Sequence, residues 1–208
     1  PSRSADDEAV TWNTSQADQR WNGGSVRALL AHQATGVERT LGVDEMIVTK
    51  TDLRGVITYA NDVFLRLSAL DEESVIGQPH NLIRHPDMPR CVFKLLWDTV
   101  QAGNELFAYV VNLAADGAHY WVLAHVTPSR DASGRLVGYH SNRRLPSRSA
   151  VTEISDIYRR LRALELARSR PADGIAASER LLADMLAASG RTYEQLVWSL
   201  MRESETCQ

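Results

Sequence analysis

The chain has little lysine, little cysteine and no long apolar run. Of its 208 residues only Lys50 and Lys94 are lysines, so nearly all of the positive charge is arginine. The formal net charge is −3 and the basic residues are not gathered in one stripe, so no nucleic-acid footprint is expected. Cys91 and Cys207 are the two cysteines, and neither belongs to a CxxC pair. A disulfide framework, a CxxC-type zinc site and a c-type haem attachment are therefore unsupported, which fits a reducing compartment. No apolar stretch approaches the ~20 residues that span a bilayer, and the start of the chain lacks a basic-then-apolar signal pattern. The expectation is a cytoplasmic protein without direct membrane insertion. No Gly-rich phosphate loop, zincin spacing or nucleophile motif occurs, so an enzyme is not expected.

A hydrophobic content of 44% suffices for a core, and the length suits one domain with appendages. Residues 1–24 are polar and small-residue rich, with Trp12 and Trp21 as large apolar groups, and read as a loose tail. Ser25 caps a short helix ending near Gly36. The run MIVTKTDLRGVITYAN reads as strand, turn, strand. Asn61 or Asp62 then caps a short helix, and a second covers Glu72 to Ile76. A longer helix runs from Arg90 to about Ala102, with Val92, Leu95, Leu96 and Val100 at helical spacing. Three β-like runs follow: Leu106 to Leu113, His119 to Thr127, and Arg135 to Arg143, the first two joined by an Asp116-Gly117 hairpin signal. Beyond Pro146 the pattern is helical, with a seam of Ile154, Ile157, Tyr158, Leu161 and Leu164, breakers at Pro171 and Gly174, and two more helices. The natural solution is an α+β five-stranded antiparallel sheet with helices on one face. The divisions are an N-terminal tail and cap helix at 1–44, a core domain at 45–146, and C-terminal helices at 147–208 for signal relay or dimerisation.

Between the short helices and the longer one lies QPHNLIRHPDMPR, Gln78 to Arg90, with two histidines, two arginines and three prolines in thirteen residues. Such a bend is a metal or catalytic site, a grip on an anionic ligand, or a surface corner.

The segments TDLRGVITYAND (51–62), GQPHNLIRHPDMP (77–89), Leu96-Trp97, the asparagine of VVNLAADG and HYWV (119–122) resemble the PAS sensory domain, and within it the FAD-binding type of bacterial aerotaxis receptors. The resemblance covers residues 45–144. It implies non-covalent FAD whose redox state reports oxygen or electron flow to a signalling partner protein, with a homodimer expected. It implies ligand contacts at Arg84, whose planar fork suits phosphate, and at His85 beside it. Asp87 would orient either of them or cap the following helix. Trp97 would stack on a ring, Asn112 would meet the polar edge of the flavin, and Asn61 is either pocket or N-cap. His140 would take the strand position held by a flavin-contacting glutamine in light-oxygen-voltage domains. Phe107 stands where the receptors carry tryptophan. His80 occupies the place of the photoreactive cysteine of light-oxygen-voltage domains. A haem gas sensor using His80, His85 or His140 and a cofactor-free PAS dimerisation module remain as alternatives. His119, Trp121, Leu123 and His125 share the other strand face, assigned to packing against the N-terminal helix or another subunit.

Overall fold

A computed structural model describes residues 34–205 of the protein. Five strands form one antiparallel sheet in the order β2-β1-β5-β4-β3: β1 (Ile47–Thr51), β2 (Ile57–Ala60), β3 (Leu106–Leu113), β4 (His119–Arg130) and β5 (Leu136–Arg144). Between β2 and β3 lie α1 (Asp62–Ser68), α2 (Glu72–Val75), a 3-10 turn (His80–Ile83) and α3 (Arg90–Gln101). Three helices follow the sheet: α4 (Arg148–Leu166), α5 (Pro171–Ser189) and α6 (Tyr193–Glu205). The α+β class and the five-stranded sheet match the sequence reading. The expected helix at Ser25 lies mostly outside the described residues.

Local chemistry explains the punctuation. The carboxylate of Asp52 accepts from the backbone N–H groups of Arg54 (2.8 Å) and Val56 (2.9 Å), closing the β1–β2 turn, while Gly55 supplies the positive φ of 76°. Asp131 and Gly134 repeat the device before β5. Asp71 caps α2 by accepting from Ser74 N at 2.8 Å.

Strand register fixes two unlike faces. On the inner face lie Ala108, Val110 and Asn112 of β3, Tyr120, Val122 and Ala124 of β4, Tyr139, Ser141 and Arg143 of β5, and Ile47 and Thr49 of β1. α3 packs on this side through Val92, Leu96 and Val100. The outer face carries Phe107, Tyr109, Trp121, Leu123 and His125, and here the structure revises the expectation. Part of that face is covered by α4 and α6: the Tyr158 ring stacks on Trp121 at 6.1 Å, and Phe107 meets Trp198 at 5.0 Å. The Tyr158 hydroxyl donates to Tyr109 O at 2.7 Å and lies 3.3 Å from that of Tyr193. Covering both faces explains why β3 is buried nearly throughout rather than alternating.

One further reading changes. The α4 helix ends before Pro171 as expected, and Pro171 starts α5 at its first position, where its missing N–H costs nothing, but Gly174 lies inside that helix rather than breaking it. A Cβ on Gly174 would stand 2.7 Å from Glu165 O, so this glycine permits the close crossing of α4 and α5. β5 makes a similar approach to β1, because a Cβ on Gly138 would lie 2.1 Å from Thr51 O. Gly138→Ala is expected to lower unfolding free energy by about 2–3 kcal/mol, as for other overpacked sites, read as a lower urea midpoint at unchanged slope.

Candidate functional site

The inner face holds a polar cluster that its sequence pattern does not announce. Arg143 is 5% exposed, and its Nη2 donates to Thr49 Oγ1 (3.0 Å) and to His80 Nε2 (2.6 Å). The 3-10 turn delivers His80, whose ring also sits 6.1 Å from that of Phe64. Antiparallel pairing delivers Thr49 opposite Ser141, two residues along from the Ile47–Arg143 pair and on the same face. An acceptor role for His80 Nε2 requires the unprotonated nitrogen. Burial, and then the neighbouring Arg143 charge, push the His80 imidazole down to about 3. Burial likewise lowers the Arg143 guanidinium to about 10.

Five buried side-chain polar atoms lack a partner among the described residues: Thr51 Oγ1, Asn112 Nδ2, Tyr120 OH, Ser141 Oγ and Arg143 Nη1. Their residues alternate onto the same face and come from four of the five strands. Leaving such a group unmade costs about 1–3 kcal/mol each. The deficit is concentrated on one face, walled by Ala108, Val110, Val122, Phe64 and Tyr139, and a ligand with its own polar edge could meet it.

The expected site residues divide. Asn112 stands on the inner face opposite Tyr120 and forms an isolated backbone bridge with Arg84, so the Arg84–Pro89 bend lies along the edge of β3. Arg84 donates from Nη2 to Met88 O (3.1 Å), and its guanidinium lies 4.9 Å over the Phe93 ring. His85 is buried, accepts at Nδ1 from Asp87 N (3.1 Å), and faces His119 at 5.8 Å. Burial is the main cause holding its imidazole below the usual range. Asp87 is exposed, with its carboxylate 3.8 Å from His85 Nδ1. It does not cap α3: the N-cap is Pro89, without a side-chain bond. Trp97 meets Tyr139 edge-on at 5.4 Å.

Register or hydrogen bonding settles three further positions, overturning His140 as a pocket residue and deciding Asn61 for the N-cap. His140 pairs with Lys50 and Thr127 on the outer face, where its Nε2 lies 2.9 Å from Asn142 Oδ1. The inward residues of that strand are Tyr139, Ser141 and Arg143. Phe107 also points outward, stacked at 4.0 Å on His125, so it does not reshape the inner face. The Asn61 amide is committed to backbone: it accepts from Val48 N (3.0 Å) and Phe64 N (3.2 Å), and donates to Met46 O (2.8 Å). It staples β1 to α1. Cys91, displaced onto α3, is 1% exposed, and burial pushes its thiol up to about 11, which keeps it protonated. Among the described residues no cluster of three or more His, Cys, Asp or Glu side chains is arranged to hold a metal. Thr49, Thr51, Tyr120, Ser141 and Arg143 were missed by sequence reasoning. The available signal was strand parity, counted outward from Asn112 across the hairpins.

Residues 46–140 match the family described as the PAS fold. The aerotaxis receptor of Escherichia coli is 36% identical over 123 residues, spanning 59% of this chain and 24% of the receptor. A nitrogen fixation regulatory protein of Klebsiella pneumoniae is 29% identical over 92 residues, spanning 44% of this chain and 19% of that protein. The chain thus spans about a quarter or less of these relatives. A light-oxygen-voltage domain solved in a study of a flavin analogue overlaps 53% of this chain and 83% of its own, with a TM-score of 0.48 and 18% identity.

A histidine held neutral beside an arginine makes stability depend on acid. Above its ordinary value of 6.5 the imidazole is neutral in both the folded and unfolded chain and contributes nothing. Below 6.5 the unfolded chain takes up a proton that the folded chain refuses, until the folded group titrates near 3. Wild-type protein should therefore lose up to about 1.4 kcal/mol more per pH unit between 6.5 and 4 than His80→Gln, which keeps the acceptor without titrating. Urea unfolding at several pH values checks this.

Proposed function

We propose that this chain, whose residues 46–140 are a PAS domain, is a sensor that binds a flavin non-covalently, specifically FAD, and reports redox state or oxygen to a partner protein. The observation that carries the reading is the set of partnerless buried polar atoms gathered on one sheet face. An isoalloxazine is flat and largely apolar, with one edge of carbonyl and imide groups, and this face offers that combination of aromatic wall and polar contacts. The resemblance to an aerotaxis receptor supports flavin over other ligands of similar shape. When bound, flavin supplies a redox centre whose ring nitrogen changes from hydrogen-bond acceptor to donor on reduction.

In this reading Asn112 orients the polar edge, and Tyr120, Ser141 and Arg143 donate to ring acceptors. Trp97 and Tyr139 close an aromatic wall that excludes water. Arg84 supplies positive charge for the diphosphate, and His85, neutral and buried, holds the turn through Asp87 N. Redox-dependent rearrangement at Asn112 or Arg143 would perturb β5, whose end leads through Leu145 and Pro146 into α4. The partner, or a second copy of the chain in a homodimer, would read α4 and its neighbours. None of the described helices is long and apolar enough to cross a membrane, and a cytoplasmic setting completes the proposal.

Purified protein loaded with FAD should show flavin absorption that bleaches with dithionite, and denaturation should release FAD rather than FMN on chromatography. A Soret band would overturn the flavin reading in favour of haem. Asn112→Leu supplies a discriminating result. It removes a buried amide nitrogen that has no partner among the described residues, so the empty protein should be no less stable, while FAD affinity should fall about tenfold. Loss of stability with unchanged affinity would mean that the amide serves the fold.

A further inference from the structure

The C-terminal helices reach across the edge of β3 to the bend that precedes α3. α3 begins after two prolines in four residues, and its N-cap Pro89 provides no side-chain acceptor. The free N–H of Cys91 is instead bonded at 3.1 Å by Glu165 Oε1, from the last turn of α4. Glu165 is 6% exposed. The same oxygen accepts from Ser178 Oγ of α5 at 3.1 Å, and Oε2 pairs with Arg162 Nη1 at 3.1 Å. Arg162 in turn donates from Nε to Pro86 O at 2.7 Å. A second link runs from Lys94 of α3 to Glu179 of α5 at 3.0 Å. The close crossing allowed by Gly174 seats this carboxylate between the two helices.

We infer that Glu165 and Arg162 are positioning residues for the ligand bend, latching Pro86–Cys91 from behind while Arg84 bridges to Asn112 in front. A buried carboxylate at the positive end of α3 replaces the cap that Pro89 cannot give. The bend is therefore held between the ligand face and the α4–α5 hairpin, and its position answers to both. Coupling of this kind is reciprocal: whatever tightens the hairpin tightens the grip on the ligand, and the ligand tightens the hairpin. The coupling to ligand rests on the flavin reading above, whereas the latch itself does not.

The test uses the full chain as wild type, Glu165→Ala, Glu165→Gln and Arg162→Ala. In the ligand-free proteins, hydrogen exchange at residues 85–92 should accelerate in Glu165→Ala and Arg162→Ala, while β3–β5 keep their protection. Unchanged exchange at the bend overturns the latch, and this arm needs no flavin. With FAD bound, Glu165→Ala should release it roughly 5- to 30-fold faster, within the usual span of coupling between sites. Glu165→Gln should fall between, because it keeps an acceptor for Cys91 N–H and loses the ionic bond to Arg162. FAD should also slow exchange at residues 161–180 in wild type and not in Glu165→Ala. Equal release rates in folded variants overturn the coupling. If Glu165→Ala fails to fold, Arg162→Ala, changed at a half-buried position, decides both the latch and the coupling by the same two measurements. A wild type that binds no FAD sinks the proposed function and leaves the ligand-free arm to decide the latch.

Discussion

The inner face of the sheet is organised around one costly object, the guanidinium of Arg143. A charge at 5% exposure carries a desolvation penalty of several kcal/mol unless its donors are met. Here the fork meets a hydroxyl and an imidazole, not a carboxylate. Both partners come from elements that must be in place first: Thr49 requires the β1–β5 register, and His80 requires the 3-10 turn to fold back over the sheet. The imidazole accepts only while it is neutral, and the surrounding burial keeps it so. The helical layer and the sheet are thus joined by a polar contact as well as by the apolar packing of Phe64, Leu96 and Val100.

The two faces of the sheet do separate jobs, and the edge at β3 is where they meet. Apolar and unsatisfied polar groups face α1 to α3, while Tyr109 is buried and Trp121 and Phe107 are partly covered by α4 and α6. The Arg84–Asn112 bridge adds the bend to the outer side of β3, so the last strand of the sheet is not a bare edge. From there the Arg162 and Glu165 contacts continue into the C-terminal helices. Chain continuity from β5 into α4 is a further connection between sheet and helices. α4 therefore touches the core along its length, at its start after β5, at Tyr158 against Tyr109 and Trp121, and in its last turn at the bend.

Much of the fold was legible because turns and caps are local chemistry. Asp52, Gly55, Asp131 and Gly134 close their turns with bonds spanning two to four residues, and Leu106 to Leu113 read as a strand with the bounds it has. The site was legible only in part. Asn112 could be placed because it sits among Ala108 and Val110 in an otherwise apolar run. Arg143 could not: an arginine near a strand end reads as solvated, and its partners are 63 and 94 residues away. His140 went to the wrong face because parity in a strand is absolute, and a shift of one residue exchanges inside for outside. Gly174 read as a breaker for a related reason, since a glycine in sequence does not show the backbone that presses against it.

The choice of a neutral histidine over a carboxylate beside Arg143 has a chemical consequence. A carboxylate would cancel the charge and satisfy the fork by bidentate pairing, leaving a self-sufficient interior. A neutral imidazole supplies one acceptor and no charge, so the face keeps a net positive charge and an unmet donor at Nη1. Tyr120 OH, Ser141 Oγ and Asn112 Nδ2 can also donate, and their residues share that face. Donors outnumber acceptors on it, so the complementary group must be rich in acceptors and can carry negative charge. A purely apolar occupant would leave every one of these donors unpaired. Under the function proposed above, the carbonyl and imide edge of a flavin is the acceptor-rich group that meets these donors.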